Sequence, residues 1–389
     1  MRRSMIILIN AINIREGGGK QVTDSICHTL ELFREHHFIV VLSSFIRDVA
    51  DEKLRGFPNV ELFEHNVSNR FSTLVLGRDR FMDKLVVLHQ VDAVLTVFGP
   101  SRWIPRVTHL SGFARAQLLS LDSPYYGQRS LKERLYNAVV KWSFRRCADN
   151  YWTENELVSE GLRTLFPKKR VFTVSNTYNQ VFARPEREAA FPLEAFAGVT
   201  VLILSDVSDY KNLAITVPVS RYLADKYPDF RFRFVISVQR EAFGRIPEGL
   251  EEHFVFIGKV GIAALPSLYA QADILFQPSL LECFPATYPE AMKMRVPILT
   301  TDLDFAHSIC GDAAVYYSCQ DPADAAEKLY RLATDPAQKA SLLSASDQRC
   351  TRFMTAEQRA GKLLEILVSL KEGSGRPGST RASTPPHQI

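Results

Sequence analysis

Short runs of β-branched and apolar residues alternate with longer stretches of helical periodicity along almost the whole chain, and this alternation restricts the fold more than any other feature. A strand, a helix and a further strand of the same sheet pair in parallel, so the pattern points to an α/β fold. In the first half, strands are expected near Met5–Ile12, Phe38–Ser43, Ala93–Phe98 and Val171–Val174. Helices are expected near Gln21–Glu35, Phe71–Gln90, Leu131–Arg146 and Glu154–Thr164. Residues 183–198 (ARPEREAAFPLEAFAG) break the pattern with proline, alanine and charge, the composition of a connection between domains. A second series follows, with strands near Thr200–Ser205, Arg231–Ile236, Phe254–Ile257, Ile274–Gln277 and Pro297–Thr300. Helices near Pro322–Ala333, Pro336–Ala345 and Thr355–Leu370 complete it. The expected division is a first domain over 1–182, a linker over 183–198, a second domain over 199–350, a helix over 351–370 and a disordered tail over 371–389. A length of 389 residues also exceeds what one core usually organises.

Composition excludes several classes. A formal net charge of +4 suits anionic small partners but is too weak to indicate nucleic acid. No apolar run is long enough to span a bilayer. The start, Met1–Ile9, has the charge-then-apolar order of a signal peptide, but Asn10, Asn13 and Arg15-Glu16 interrupt it, and a first strand is the better reading. The six cysteines are scattered singly without a C-x-x-C pair, which fits free thiols in a reducing cytoplasm and gives no metal site.

Two open parallel sheets bind ligands at the carboxyl ends of their strands, so candidate residues are sought just after strands. The first strand runs into Asn13-Ile-Arg-Glu-Gly17-Gly18-Gly19-Lys20, with a helix expected from Gln21. Glycines allow close backbone approach to an anion, and a helix N-terminus adds aligned N–H groups. A flexible turn is the plain alternative, and neither the dinucleotide fingerprint nor a Walker loop is met. His109 is expected at the carboxyl edge of a short strand, facing the cleft, where it could hydrogen-bond a sugar hydroxyl; a structural histidine is the competing reading. Lys211 and the expected N-cap Asn212 follow the strand near Thr200–Ser205 and suit a diphosphate. After the strand Ile274–Gln277 comes Pro278-Ser279-Leu-Leu-Glu282-Cys-Phe284-Pro-Ala286-Thr287-Tyr-Pro-Glu290. Thr287 and Glu290 have capping-box spacing, which alone accounts for Glu290. Glu282 has no such account and is expected to stand unneutralised in the loop. Residues 129–146 interleave Arg and Lys with Leu, Val and Trp. That composition suits a peripheral contact with an anionic bilayer, although a solvated basic face is the commoner origin.

The spacing of Glu282 and Glu290, with P-S-x-x-E-x-F before and E-A-M after, resembles the E-x7-E segment of the retaining glycosyltransferases of family 4. Further matches occur in order: the Gly17–Gly19 loop, His109, Val174-Ser-Asn176, Lys211-Asn212, Phe256-Ile-Gly258 and Cys310-Gly-Asp312. The resemblance implies a GT-B fold, two Rossmann-like domains facing across a cleft, with the C-terminal helix crossing back to the first domain. It implies that Glu290 binds the ribose of a nucleotide-sugar, that Glu282 holds the transferred sugar, and that Lys211 neutralises the diphosphate. Phe284, Ala286, Thr287, Gly258 and Ser279 would line the donor, while His109, Gly17, Gly18, Gly19 and Lys20 would face the reacting centre. The nucleotide-sugar would be a co-substrate, with no cofactor and no metal. The acceptor would be a glycan or lipid-linked molecule in cell-surface polysaccharide or lipopolysaccharide synthesis, placing the protein in the cytoplasm, peripheral to the inner face of the membrane. The sequence departs from the family pattern at Pro285, where a glycine is usual, and at Ser205 and Asp206, where an arginine is usual. A degenerate GT-B domain that binds without turnover is the alternative.

Overall fold

The computed structural model describes residues 4–66, 76–101, 103–183, 185 and 189–374. The first series of strands is β1 (Ile6–Ala11), β2 (His37–Leu42), β3 (Val60–Glu64), β4 (Ala93–Thr96), β5 (Thr108–Gly112), β6 (Asn150–Thr153) and β7 (Arg170–Thr173). They form one parallel sheet in the order β3-β2-β1-β4-β5-β6-β7. The second series is β8 (Val199–Ile203), β9 (Phe232–Ile236), β10 (Phe254–Phe256), β11 (Ile274–Gln277), β12 (Ile298–Thr301) and β13 (Ala314–Tyr317). It forms a separate parallel sheet in the order β10-β9-β8-β11-β12-β13. Ile7 lies opposite both Phe38 and Ala93, and Leu275 opposite both Leu202 and Ile298. Central strands are covered on both faces: Ile7 and Ile9 join one apolar layer and Leu8 the other.

The longer helices are α1 (Gly17–Cys27), α2 (Arg80–Leu88), α3 (Leu131–Cys147), α4 (Glu156–Leu165), α5 (Thr216–Lys226), α6 (Thr287–Lys293), α7 (Asp304–Cys310), α8 (Pro322–Thr334), α9 (Pro336–Cys350) and α10 (Ala356–Ser374). Several differ from expectation. Helix α1 begins four residues early, because the glycines are its first turn, and it ends at Cys27 rather than Glu35. Of the helix expected over 71–90, the part at 71–75 lies outside the described residues. Helix α4 starts at Glu156, since Asn155 caps it by accepting from the Val158 N–H at 2.8 Å. Asn212 is not an N-cap. It is left-handed (φ 52°) between two short 3-10 turns, and α5 opens only at Thr216. Strands β3, β6 and β13 are additional to those expected. In β3 (VELFE) glutamates interrupt the apolar residues.

The last helix crosses between the halves as expected. Leu363, Leu364, Leu367 and Leu370 of α10 pack into the same apolar cluster as Ile7, Ile9 and Val97. It runs four residues beyond the expected end at 370, and the rest of the expected tail, 375–389, lies outside the described residues, as do 184 and 186–188 of the linker. Among the described residues no helix is long and apolar enough to cross a membrane.

In each sheet the strand order reverses beside the first strand of the series, between β1 and β4 and between β8 and β11. Connections leave these neighbouring strands toward opposite faces, so a crevice opens at their carboxyl ends.

Candidate active site

A cleft of about 920 Å³ joins these crevices. Its first-half lining comes from residues after β1 (Asn13–Glu16, Gly18, Gly19), after β4 (Phe98–Ser101) and after β5 (Ala114–Gln117), with Glu154 after β6 and Asn176 after β7. The second half supplies Tyr210 after β8, and Leu281–Phe284 with Ala286 after β11. The loop carrying Glu282 is anchored to the opposite half on both sides. Ser123 Oγ donates to the Leu280 carbonyl at 2.5 Å, and Asn155 Nδ2 to the Cys283 carbonyl at 2.6 Å. Leu280, Leu281 and Cys283 also pack with Phe113, Tyr125 and Phe144.

This anchoring fixes a polar chain. Lys211 Nζ lies 2.6 Å from Glu282 Oε1, and Ser279 Oγ donates to the same oxygen at 2.9 Å. Gln277 Nε2 donates to Ser279 Oγ at 2.8 Å, and Thr287 Oγ1 to Gln277 Oε1 at 3.2 Å. Glu282 is therefore not unneutralised, as the sequence suggested. Burial disfavours the Lys211 ammonium, but the Glu282 carboxylate outweighs burial and holds it up to about 12. An ammonium shared with one carboxylate retains donors for a second anion, so the pair can hold a ligand phosphate against Lys211 and a hydroxyl against Glu282. Ser279 and Gln277, both buried, orient the carboxylate from behind.

Glu290 reverses its expected status. The capping box is not formed: Thr287 is the first helical residue of α6, Ala286 precedes it, and no side chain caps that end. Glu290 is instead fully buried one turn in, where Tyr269 donates its hydroxyl to Oε2 at 3.0 Å. The other oxygen, Oε1, has no hydrogen-bond partner among the described residues. Burial pushes this carboxyl up to about 7, with the Tyr269 bond acting in the opposite direction. A buried, half-satisfied carboxyl is costly unless something uses it. Glu290 is not among the residues that line the cleft, whereas Phe284 and Ala286 of the same segment are.

Two further ionisable groups, Glu154 in the cleft wall and Arg359 behind it, were not anticipated. Glu154 directly follows β6, lines the cleft and is buried; burial pushes its carboxyl up to about 8, against the Arg359 charge and with a smaller push from Glu282. Arg359 of α10 is fully buried, donates to the Asn176 side chain, and leaves Nε and Nη2 without partners among the described residues. The sequence signal for Glu154 was available: once Asn155 is read as the α4 cap, the residue before it falls at the carboxyl end of a strand.

Other candidates lie elsewhere than expected. His109 is the second residue of β5 rather than its carboxyl edge, and it is buried between strands. Its Nε2 meets Thr96 Oγ1 at 2.9 Å and its Nδ1 meets the Cys147 carbonyl at 3.1 Å. Burial lowers its pKa to about 4, and it does not line the cleft. It is a structural histidine. Gly17 has φ +65°, a left-handed conformation that favours glycine, and added side chains at Gly17 or Gly18 would meet nothing within 4 Å. Gly18 and Gly19 line the cleft, whereas Lys20 pairs with Asp48 away from it. Gly258 is also left-handed (φ +65°), at a turn whose next residue, Lys259, pairs across the halves with Glu16.

Residues 198–335 match the family model described as Glycosyl transferases group 1. The group 1 segment contains Lys211, Ser279, Glu282 and Glu290, of which Glu282 lines the cleft and Lys211 and Ser279 hold it from behind. The O-antigen chain mannosyltransferase RfbU of Salmonella typhimurium is 21% identical over 239 residues, 59% of this chain and 64% of that protein. The match therefore spans less than two thirds of this curated relative. A glycosyltransferase from Rickettsia africae superposes with a TM-score of 0.69 at 14% identity, covering 94% of this chain and 98% of that one. Anabaena HepE in complex with UDP and glucose does so with a TM-score of 0.67 at 16% identity, covering 94% of this chain and all of that one (100%). These likenesses establish the GT-B fold. With the group 1 match they support a glycosyltransferase.

Proposed function

We propose that the protein moves a hexose from a nucleoside-diphosphate sugar to a glycan or lipid-linked acceptor with retention of configuration, in cell-surface polysaccharide or lipopolysaccharide synthesis. The observation that carries this reading is the Lys211–Glu282 pair, held in the cleft by Ser279 and Gln277 within the group 1 segment. In the proposed reaction the acceptor oxygen attacks the anomeric carbon on the face from which the diphosphate departs. The carbon–oxygen bond to the diphosphate breaks with its electron pair on the diphosphate, which takes the hydroxyl proton. Lys211 stabilises the charge that develops on the leaving group, so no resident metal is required for that role. Glu282 grips a sugar hydroxyl, and Glu290 accepts from the ribose once the donor reaches it. The O-antigen relative makes mannose the first sugar to test. We place the protein in the cytoplasm, with α3 as a peripheral contact to the inner face of the membrane.

The test is nucleoside diphosphate release from a panel of nucleotide-sugars in the presence of crude glycan and lipid acceptors, with Glu282→Ala as control. Binding without release for every acceptor class would favour a domain that binds without turnover. Pro285 and the absence of an arginine at 205 and 206 are the features consistent with that second reading.

A further inference from the structure

The cleft carries two cations that its own carboxylates leave uncompensated, and both stand on the half opposite Lys211. Arg15, after β1, lies with its guanidinium 5.1 Å from the ring centre of Phe45, which is 61% exposed. Arg115, past the end of β5, lies 5.9 Å from the ring centre of Tyr136 and donates to its hydroxyl at 3.3 Å. Neither guanidinium pairs with a carboxylate among the described residues. The lining carboxylates are otherwise engaged: Glu282 with Lys211 and Glu16 with Lys259. Glu154, with its pKa near 8, is mostly protonated at neutral pH and adds little opposing charge. The first half of the cleft thus offers two planar, forked donors to an anion.

Tyr136 links this site to an unusual surface. It belongs to α3, whose outward face exposes Leu131 (74%), Leu135 (63%), Val139 (49%) and Trp142 (44%). Their spacing of four, four and three residues sets them along one stripe of the helix. Lys132, Arg134, Lys141, Arg145 and Arg146 flank the stripe, and Arg146 stacks 4.5 Å from the Trp142 ring centre. A nucleotide diphosphate has no use for such a stripe, and a sugar hydroxyl has no use for two guanidiniums. A molecule with an anionic head and a hydrocarbon chain uses both.

We propose that the first half of the cleft holds the phosphate or diphosphate head of an amphiphilic acceptor between Arg15 and Arg115, with its chain laid over the Leu131–Trp142 stripe. The word acceptor rests on the glycosyltransferase reading, but the binding itself is measured without turnover. Trp103 and Trp152 are fully buried, so a blue shift of fluorescence on titration reports Trp142, and Trp142→Phe serves as the blank. The probes are monomeric dodecyl phosphate, dodecyl maltoside and inorganic phosphate. Dodecyl phosphate is expected to bind at least about tenfold more tightly than the maltoside, and inorganic phosphate to bind weakly. Arg15→Gln and Arg115→Gln should each weaken dodecyl phosphate by roughly tenfold, because each removes a charge-assisted contact. Leu135→Ser, an exposed substitution that the fold tolerates, should weaken both amphiphiles together. All variants should keep wild-type melting curves and nucleoside diphosphate affinity. Equal affinity for phosphate and maltoside, or indifference to both arginine substitutions, would overturn the proposal. So would competition by nucleoside diphosphate, which would assign the two arginines to the donor. Sugar transfer is scored separately, so its failure would refute the enzyme reading and leave this result standing.

Discussion

Glu290→Gln separates what a buried carboxyl does for stability from what it does for a ligand. In the folded protein burial pushes this carboxyl from an ordinary 4.5 up to about 7. Between these values the folded state holds a proton that the unfolded chain has released. Stability from this group is therefore fully present below pH 4.5 and is lost as the pH rises through 7. At about 1.4 kcal/mol per pH unit the loss amounts to about 3 kcal/mol. Glutamine does not titrate, and its carbonyl can still accept from Tyr269. The variant should match the wild type at pH 4.5 and exceed it by about 3 kcal/mol at pH 8. If the second half unfolds as a unit, that corresponds to a melting point higher by roughly 6–12 °C. Melting followed by circular dichroism from pH 4.5 to 8, without nucleotide, reads the difference directly. The same substitution should weaken nucleoside diphosphate binding, since a ribose hydroxyl loses a carboxylate acceptor. Parallel stability curves for the two proteins across that pH range would refute the reasoning.

Lys211→Met should strand the Glu282 carboxylate, costing about 3–5 kcal/mol in urea unfolding, and Lys211→Met with Glu282→Gln should recover most of the stability but none of the nucleotide binding measured by calorimetry. His109→Phe should cost about 1–3 kcal/mol at pH 7, because Thr96 and the Cys147 carbonyl lose their partner, while the donor KM stays unchanged. Since burial depresses the His109 pKa to about 4, its contribution is lost as pH falls from 6.5 toward 4, and the variant should lack that acid sensitivity in melting experiments. Glu154→Gln should remove a decline in sugar transfer that the wild type shows above pH about 8, where the cleft wall gains negative charge; identical pH profiles would dispose of a role for its ionisation.

The alternation of strand and helix made the fold legible, because parallel strands buried on both faces read as near-continuous apolar runs, broken only by Asn10 in Ile6–Ala11 and by Gln277 at the end of Ile274–Gln277. The edge strand β3 was not, since an edge tolerates Glu61 and Glu64. Spacing placed Glu282 and Lys211 correctly after strands but could not show that they pair, because residues 71 apart in sequence meet only through tertiary packing. The same limit hid Arg359, which reaches Asn176 from 183 residues away. His109 was misplaced by the boundary of one short strand. A shift of three residues along β5 separates the carboxyl edge from the buried interior, and composition does not resolve it. Glu290 was undervalued because a T-x-x-E spacing does not tell a threonine that caps the helix from one that, like Thr287, is already its first residue.

The decisive measurement is nucleoside diphosphate release when the protein is given a nucleotide-sugar, nucleoside-diphosphate mannoses first, and lipid-linked acceptor. Acceptor-dependent release is expected, and Lys211→Ala and Glu282→Ala should each reduce it at least about a hundredfold, as for groups that meet developing charge. Release at wild-type rates in both variants would contradict it.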